Sequence, residues 1–197
     1  MSTSHFDYHT PETAPDAKEL FAKSKAVYGF HPTLHQVMAE APATYAAYLW
    51  LMDQFQGKTS LSPLEQQIVF MTANYENRCH YCTAGHTYLM KAMKMPADYI
   101  EALREGLALP DAKHQALRTF TKELIEHRGH IGDERLRALL DAGYSRKQAL
   151  EVLVGLSAKL LSNFTNALAH TKLDEGVRPF AWTHPADRPN AVRALAK

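Results

Sequence analysis

Both cysteines of this 197-residue chain stand in one stretch, Glu76-Asn-Arg-Cys79-His-Tyr-Cys82-Thr-Ala-Gly-His86. Two thiols separated by two residues can close a disulfide across one helical turn when the first lies at a helix N-terminus. There, unpaired N–H groups and the helix dipole favour the reactive thiolate. At about 100° per residue, Cys79, Cys82 and His86 fall within roughly 60° of one another, and Glu76 lies within about 120° if the helix reaches back that far. One face then carries a nucleophile, a resolving thiol, a base and a group that orients the base. His86, one turn after Cys82, is placed for its ring to take the proton of that thiol.

Three other readings compete. A C-x-x-C pair with a following His offers three ligands of a structural zinc site, but no further cysteine exists, so His80 or a distant His must be the fourth. Two buried cysteines can also behave as small apolar side chains. A thioredoxin-type dithiol normally stands in a βαβ context, and no strand pattern accompanies this one.

The pattern Glu76-x-x-Cys79-x-x-Cys82-x-x-x-His86, preceded by Leu61-Ser-Pro-Leu-Glu65, resembles the alkylhydroperoxidase D-like branch of the carboxymuconolactone decarboxylase superfamily. The resemblance extends to Tyr28-Gly-Phe-His-Pro-Thr-Leu34, Ala39-Glu-Ala-Pro42 and Asn163-Phe-Thr-Asn166, and so covers most of residues 20–175. It implies a multihelical all-α fold and a thiol-dependent peroxidase or disulfide reductase with Cys82 as the peroxide-attacking thiolate and Cys79 as the resolving thiol. His86 with a carboxylate would form a proton relay. No bound cofactor is implied, but a lipoyl- or thioredoxin-like dithiol protein, or a partner peroxiredoxin, would complete the cycle. A homo-trimer or hexamer is implied as well.

One position departs from that pattern. Such proteins carry a relay glutamate twelve residues before the first cysteine, where this chain has Gln67. An amide cannot carry a proton as a carboxylate does, so Glu76 is expected to replace it, with Glu65 as a helix cap and Gln67 of little consequence. The decarboxylase branch lacks the cysteine pair, which argues against lactone chemistry. That chemistry and a Cys/His metal-binding structural protein remain the alternatives.

Composition bounds the rest. Charged residues make up 22% of the chain and the net charge is +1, so neither nucleic acid nor an anionic membrane is indicated as a partner. No apolar run approaches the roughly 20 residues that cross a bilayer, and His5, Asp7 and Glu12 interrupt the first residues where a signal peptide would be basic and apolar. A cytoplasmic protein is expected, and in a reducing compartment a cysteine pair is catalytic or metal-binding more readily than a permanent bridge.

The elements that must position these residues read as helices throughout. Residues 1–14 suggest a flexible arm, 15–175 one all-α domain and 176–197 an extended tail whose Phe180 and Trp182 dock on a neighbouring surface. Ala43 to Phe55 is apolar nearly all round, as a helix buried in a core or subunit interface is. Ser62-Pro-Leu-Glu65 is a capping box with proline at the first helical position, Asn77-Arg78 should break that helix, and Cys79 should start the next. Asp133 is expected to cap a later helix, and Ser145-Arg-Lys-Gln148 opens a long one as a second capping box. A shift of 84 residues lays Asn163 and Asn166 under Cys79 and Cys82, and His170 under His86, suggesting two related halves. The asparagines would face the thiols or form a polar network between helices. His80 could help to hold a thiolate, whereas His31 and His35 flank a turn and suggest surface residues.

Overall fold

The structure, a computed structural model, describes residues 5–189; residues 1–4 of the expected arm and 190–197 of the expected tail lie outside it. Nine α-helices and no strand occur among the described residues. They are α1 (Lys18–Tyr28), α2 (Thr33–Met38), α3 (Pro42–Lys58), α4 (Pro63–Glu76), α5 (His80–Ala92), α6 (Ala97–Glu105), α7 (Ala112–Glu126), α8 (Gly132–Asp141) and α9 (Arg146–Ala169). Short 3-10 turns occur at Pro15–Ala17, Glu175–Phe180 and Pro185–Asp187.

The centre is α4, in which every residue from Glu65 to Asn74 is buried. It packs against α5, α6, α7 and α9, which explains why its sequence shows no clean polar face. Its start is fixed as the sequence indicated: Ser62 Oγ accepts the Glu65 N–H, and the Glu65 carboxylate accepts the Ser62 N–H at 2.7 Å. Glu65 is thus a capping residue. Ser145 and Gln148 repeat this arrangement at the start of α9. Asp133 does not cap α8; Ile131 holds that place without a side-chain hydrogen bond, and Asp133 lies inside the first turn.

The helix α3 faces the core with Tyr45, Tyr48, Met52 and Phe55, all buried, and only Trp50 among its large apolar side chains is exposed. Its apolar surplus therefore belongs to the core. The two helices α3 and α9 meet at Gly155, where an added Cβ would stand 2.7 Å from the Phe55 ring. Any larger residue would force the buried Phe55 ring, or the helix that carries it, to shift. The exposed apolar stripe lies instead on α9, at Leu150, Leu153, Leu160, Phe164 and Leu168.

The segment after α9 folds back on the domain. Trp182 is buried and its indole N–H donates to the Arg104 carbonyl at 2.9 Å, while Arg188 pairs with both oxygens of Glu105 at 2.7 and 2.8 Å. Residues 8 and 9 of the expected arm are tied down too: the His9 N–H donates to the Gln36 carbonyl at 3.2 Å, and Tyr8 Oη accepts the Lys172 N–H at 2.9 Å.

Candidate active site

The chain breaks between α4 and α5 where the sequence places the break. Asn77 caps the end of α4, Arg78 takes a left-handed backbone with φ 50°, and Cys79 is the N-cap of α5. The Cys79 sulfur accepts the N–H of Cys82 at 3.4 Å, an interaction available only at a helix start. Asn163 holds the break in place. Its amide donates to the Asn74 side-chain oxygen at 3.0 Å, and its own oxygen accepts from the Asn77 amide at 3.0 Å.

Both thiols are free and buried. The Asn166 amide nitrogen lies 3.2 Å from the Cys82 sulfur and 3.8 Å from that of Cys79, and Ser162 Oγ lies 3.8 Å from Cys82. The Asn166 Oδ1 is buried without a partner. Burial pushes the Cys82 thiol up, but hydrogen bonding from Cys79 and the positive charge of Lys159 outweigh it and pull this thiol down. The Cys79 thiol moves the opposite way, raised by its hydrogen bond to Cys82, by burial and by the charge on Cys82. The two thiols are thus shifted in opposite directions, Cys82 toward the thiolate and Cys79 toward the protonated thiol.

Lys159, on the inward face of α9 and only 1% exposed, had no signal in the sequence beyond a charged residue in an apolar helix. Its Nζ donates to His86 Nε2 at 3.0 Å and lies over the Phe70 ring, 5.3 Å from the centroid. An ammonium group only donates, so Nε2 is the accepting nitrogen and Nδ1 carries the proton, which goes to Gln67 Oε1 at 2.8 Å. Burial, and then the Lys159 charge, hold the His86 pKa well below its ordinary value, so the ring is neutral.

Three expectations are corrected here. Glu76 does not orient His86: its carboxylate, at the far end of α4, faces Lys122 of α7 at 4.0 Å, and burial raises its pKa. The helical projection that joined Glu76 to the motif required one unbroken helix, and the left-handed Arg78 turns it away. Gln67, expected to be idle, is the group that bonds His86. His86 itself makes its hydrogen bonds to Gln67 and Lys159, and none to a thiol among the described residues.

The remaining histidines divide by environment. The ring of His80 points to the tail, its Nδ1 2.8 Å from the Trp182 carbonyl oxygen. His35 is buried rather than superficial, bonded through Nδ1 to Ser24 Oγ at 2.7 Å, with its pKa pushed down to about 3 by burial and by His31. His170 is the left-handed C-cap of α9 and exposed, so of the three residues in the 84-residue echo only the asparagines reach the site. Cys79 and Cys82 do not share a third His, Asp or Glu ligand atom at metal-binding distance among the described residues. The one such group of three is the half-exposed to exposed Glu123, Glu126 and His127.

Cys82, Gln67, His86 and Lys159 meet at a cavity of about 360 Å³. Rings from Tyr28, Phe30, Tyr48, Tyr81 and Tyr88 line it. Its side is closed by Asp174, which accepts the Tyr81 hydroxyl at 2.5 Å and the Thr33 N–H at 2.8 Å, tying the first turn of α5 to α2 and the tail.

This architecture superposes on solved structures. An alkylhydroperoxidase AhpD-core, peroxidase-related protein from Ralstonia eutropha JMP134 matches with a TM-score of 0.77 over 90% of this chain and 95% of that one, at 15% identity. The chain has the AhpD-like fold. The debrominase Bmp8, in a cysteine-to-alanine variant complexed with 2,3,4-tribromopyrrole, matches with a TM-score of 0.76 over 91% and 96%, at 16% identity. A peroxidase-related protein from Silicibacter sp. TM1040 gives 0.75 over 90% and 95%, at 14% identity. No protein-family model matches the chain, and no curated protein does. Among the described residues, α9 is the one helix long and apolar enough to cross a membrane, yet its inward face carries Lys159, Ser162, Asn163 and Asn166 in the core.

Proposed function

We propose that this chain is a thiol-dependent peroxidase that reduces a small hydroperoxide with Cys82 and Cys79. The observation that carries the reading is the placement of the pair, Cys79 as the N-cap of α5 with its sulfur on the Cys82 N–H, and Cys82 beside Asn166 on the cavity that Lys159 also lines. The Cys82 thiolate attacks the peroxide; an S–O bond forms, the O–O bond breaks, and an alcohol leaves once protonated. Asn166 Oδ1, otherwise without a partner, accepts the hydroxyl of the resulting sulfenic acid. Cys79 then attacks the Cys82 sulfur, closing the disulfide, and its retained proton leaves with the hydroxyl as water. The peroxide is reduced and the two thiols are oxidised, so a dithiol donor of lipoyl or thioredoxin type, or a partner peroxiredoxin, must restore them by exchange.

In this scheme no cofactor is needed, and a reducing compartment such as the cytoplasm keeps the pair ready. His86 is a positioning residue that orients Lys159 and is itself held by Gln67, and Glu76 has no part. Thiol titration before and after peroxide tests the scheme: two thiols lost per chain without crosslinks between chains are expected. Thiols that react only after a chelator is added would overturn it in favour of a metal site.

A second reading rests on the ring-lined cavity and on the fold shared with a debrominase. The same dithiol would replace halogen by hydrogen on a small aromatic ring, and bromide release from 2,3,4-tribromopyrrole would reveal it.

We also propose a homo-oligomer in which copies of the chain bury the stripe from Leu150 to Leu168. It runs for about 27 Å at 1.5 Å per residue, longer than scattered surface leucines require. Light scattering of the wild type and of Leu160→Glu/Phe164→Glu decides this; a wild-type mass near 22.2 kDa would overturn it.

A further inference from the structure

We propose that the Tyr48 hydroxyl is the acid that protonates the oxygen leaving the peroxide, with a ring-bearing organic substrate held between it and Cys82. The inference rests on the peroxidase reading above.

The scheme needs a proton donor on the leaving oxygen; of the other polar groups at the cavity, Tyr88 and Gln56 are exposed, Tyr28 is half-buried, and His86, Lys159 and Tyr81 are engaged. His86 has one ring nitrogen on Gln67 and the other on Lys159. Lys159 donates to His86, and its charge holds the Cys82 thiolate. Tyr81 gives its proton to Asp174 and accepts from Thr33. Tyr48 differs: it comes from α3, on the wall that Phe55 and Gly155 hold against α9, and is 4% exposed. Its ring meets the edge of His35 at 5.6 Å between centroids, and its hydroxyl has no hydrogen-bond partner among the described residues. Burial, followed by nearby negative charge including that of Cys82, keeps this phenol protonated. A phenol is ordinarily more acidic than the alcohol formed from an alkyl hydroperoxide, which sets the direction of transfer to the departing alkoxide.

Atoms and charges balance. The sulfur attacks the terminal oxygen and becomes S–OH, the alkoxide takes the Tyr48 proton and leaves as an alcohol, and the phenolate regains a proton from water. Neighbouring rings make the cavity suited to a flat apolar group on the far side of the peroxide.

The test compares cumene hydroperoxide, which releases an alkoxide, with perbenzoic acid, which releases a carboxylate that needs no proton. With the whole protein and excess dithiol, Tyr48→Phe should lower kcat on cumene hydroperoxide about 100-fold and change turnover of perbenzoic acid less than about threefold. Equal losses on both, or none on either, would overturn the proposal and leave the proton to Lys159. Gly85→Leu supplies a second variant, since Gly85 lines the cavity and a Cβ there meets nothing within 4 Å. It should shift the ratio of kcat/KM for cumene hydroperoxide over hydrogen peroxide about tenfold or more toward hydrogen peroxide, and an unchanged ratio would place the ring-bearing substrate elsewhere. A wild-type protein that loses no thiols to any peroxide overturns the peroxidase reading as well, whereas an active wild type with an indifferent Tyr48→Phe overturns this inference alone.

Discussion

The α4–α5 segment and α9 begin with the same capping device and run past each other in the core, yet one is interrupted and the other is not. The interruption at Asn77-Arg78 makes Cys79 an N-cap and gives its sulfur a backbone N–H to accept. The unbroken α9 offers no free backbone donors along its middle. It contributes side chains instead, Lys159, Ser162 and Asn166, one turn apart on a single face. A broken helix thus supplies the nucleophiles and a continuous one supplies their electrostatics. Neither is competent alone.

The largest effect separates the two thiols on the broken side. Cys82→Ser should abolish peroxide consumption, while Cys79→Ser should react once and stop at sulfenic acid, trapped by dimedone and read by mass spectrometry. Sulfenic acid trapped on Cys79 in the Cys82→Ser protein would reverse the two roles.

Next comes the continuous side. Lys159→Met removes the positive charge and should raise the Cys82 pKa by roughly 1–3 units, which slows alkylation by iodoacetamide about tenfold or more at neutral pH. The rate should return at alkaline pH. A variant equally slow there would indicate collapse of the site rather than loss of charge.

Acid should weaken the fold through the buried neutral histidines on either side of the cavity. His35 is pushed down to about 3 and His86 well below its ordinary value, whereas both titrate near 6.5 in an unfolded chain. Their contribution is fully present above about pH 6.5. Below it the unfolded chain binds protons that the folded one refuses, so stability falls as pH falls, by up to about 1.4 kcal/mol per pH unit for each histidine. Urea midpoints measured from pH 7 to pH 5 check the sign, and His35→Gln should reduce the slope.

The smallest predicted effects sharpen the contrast within α4. Gln67→Leu leaves the His86 Nδ1–H buried without an acceptor and should cost about 1–3 kcal/mol of stability. Turnover should fall with it. Glu76→Gln breaks only a 4.0 Å pair with the half-exposed Lys122 and should cost under about 1 kcal/mol, with turnover retained. Equal losses from the two would restore a role for Glu76.

The sequence by itself determined whatever depends on neighbours within a turn or two. The capping boxes at Ser62 and Ser145, the break at Asn77-Arg78, Cys79 at a helix start and Cys82 with His86 on one face follow from spacing, because a helix fixes the relation of residues three and four apart. The Glu76 projection failed at the one point where that periodicity stops. The tertiary structure alone decided what lies opposite the thiols. Lys159 is 73 residues from His86, and a lysine on an apolar helix reads as a solvent-facing residue. Its inward direction follows from which face α9 turns to α3 and α4, the face on which Gly155, one turn earlier, meets Phe55. Gln67 likewise gained its role from distance, 19 residues from His86, where packing of two helices places an amide oxygen against a ring N–H. Local periodicity cannot encode such a meeting, because it depends on how whole helices pack.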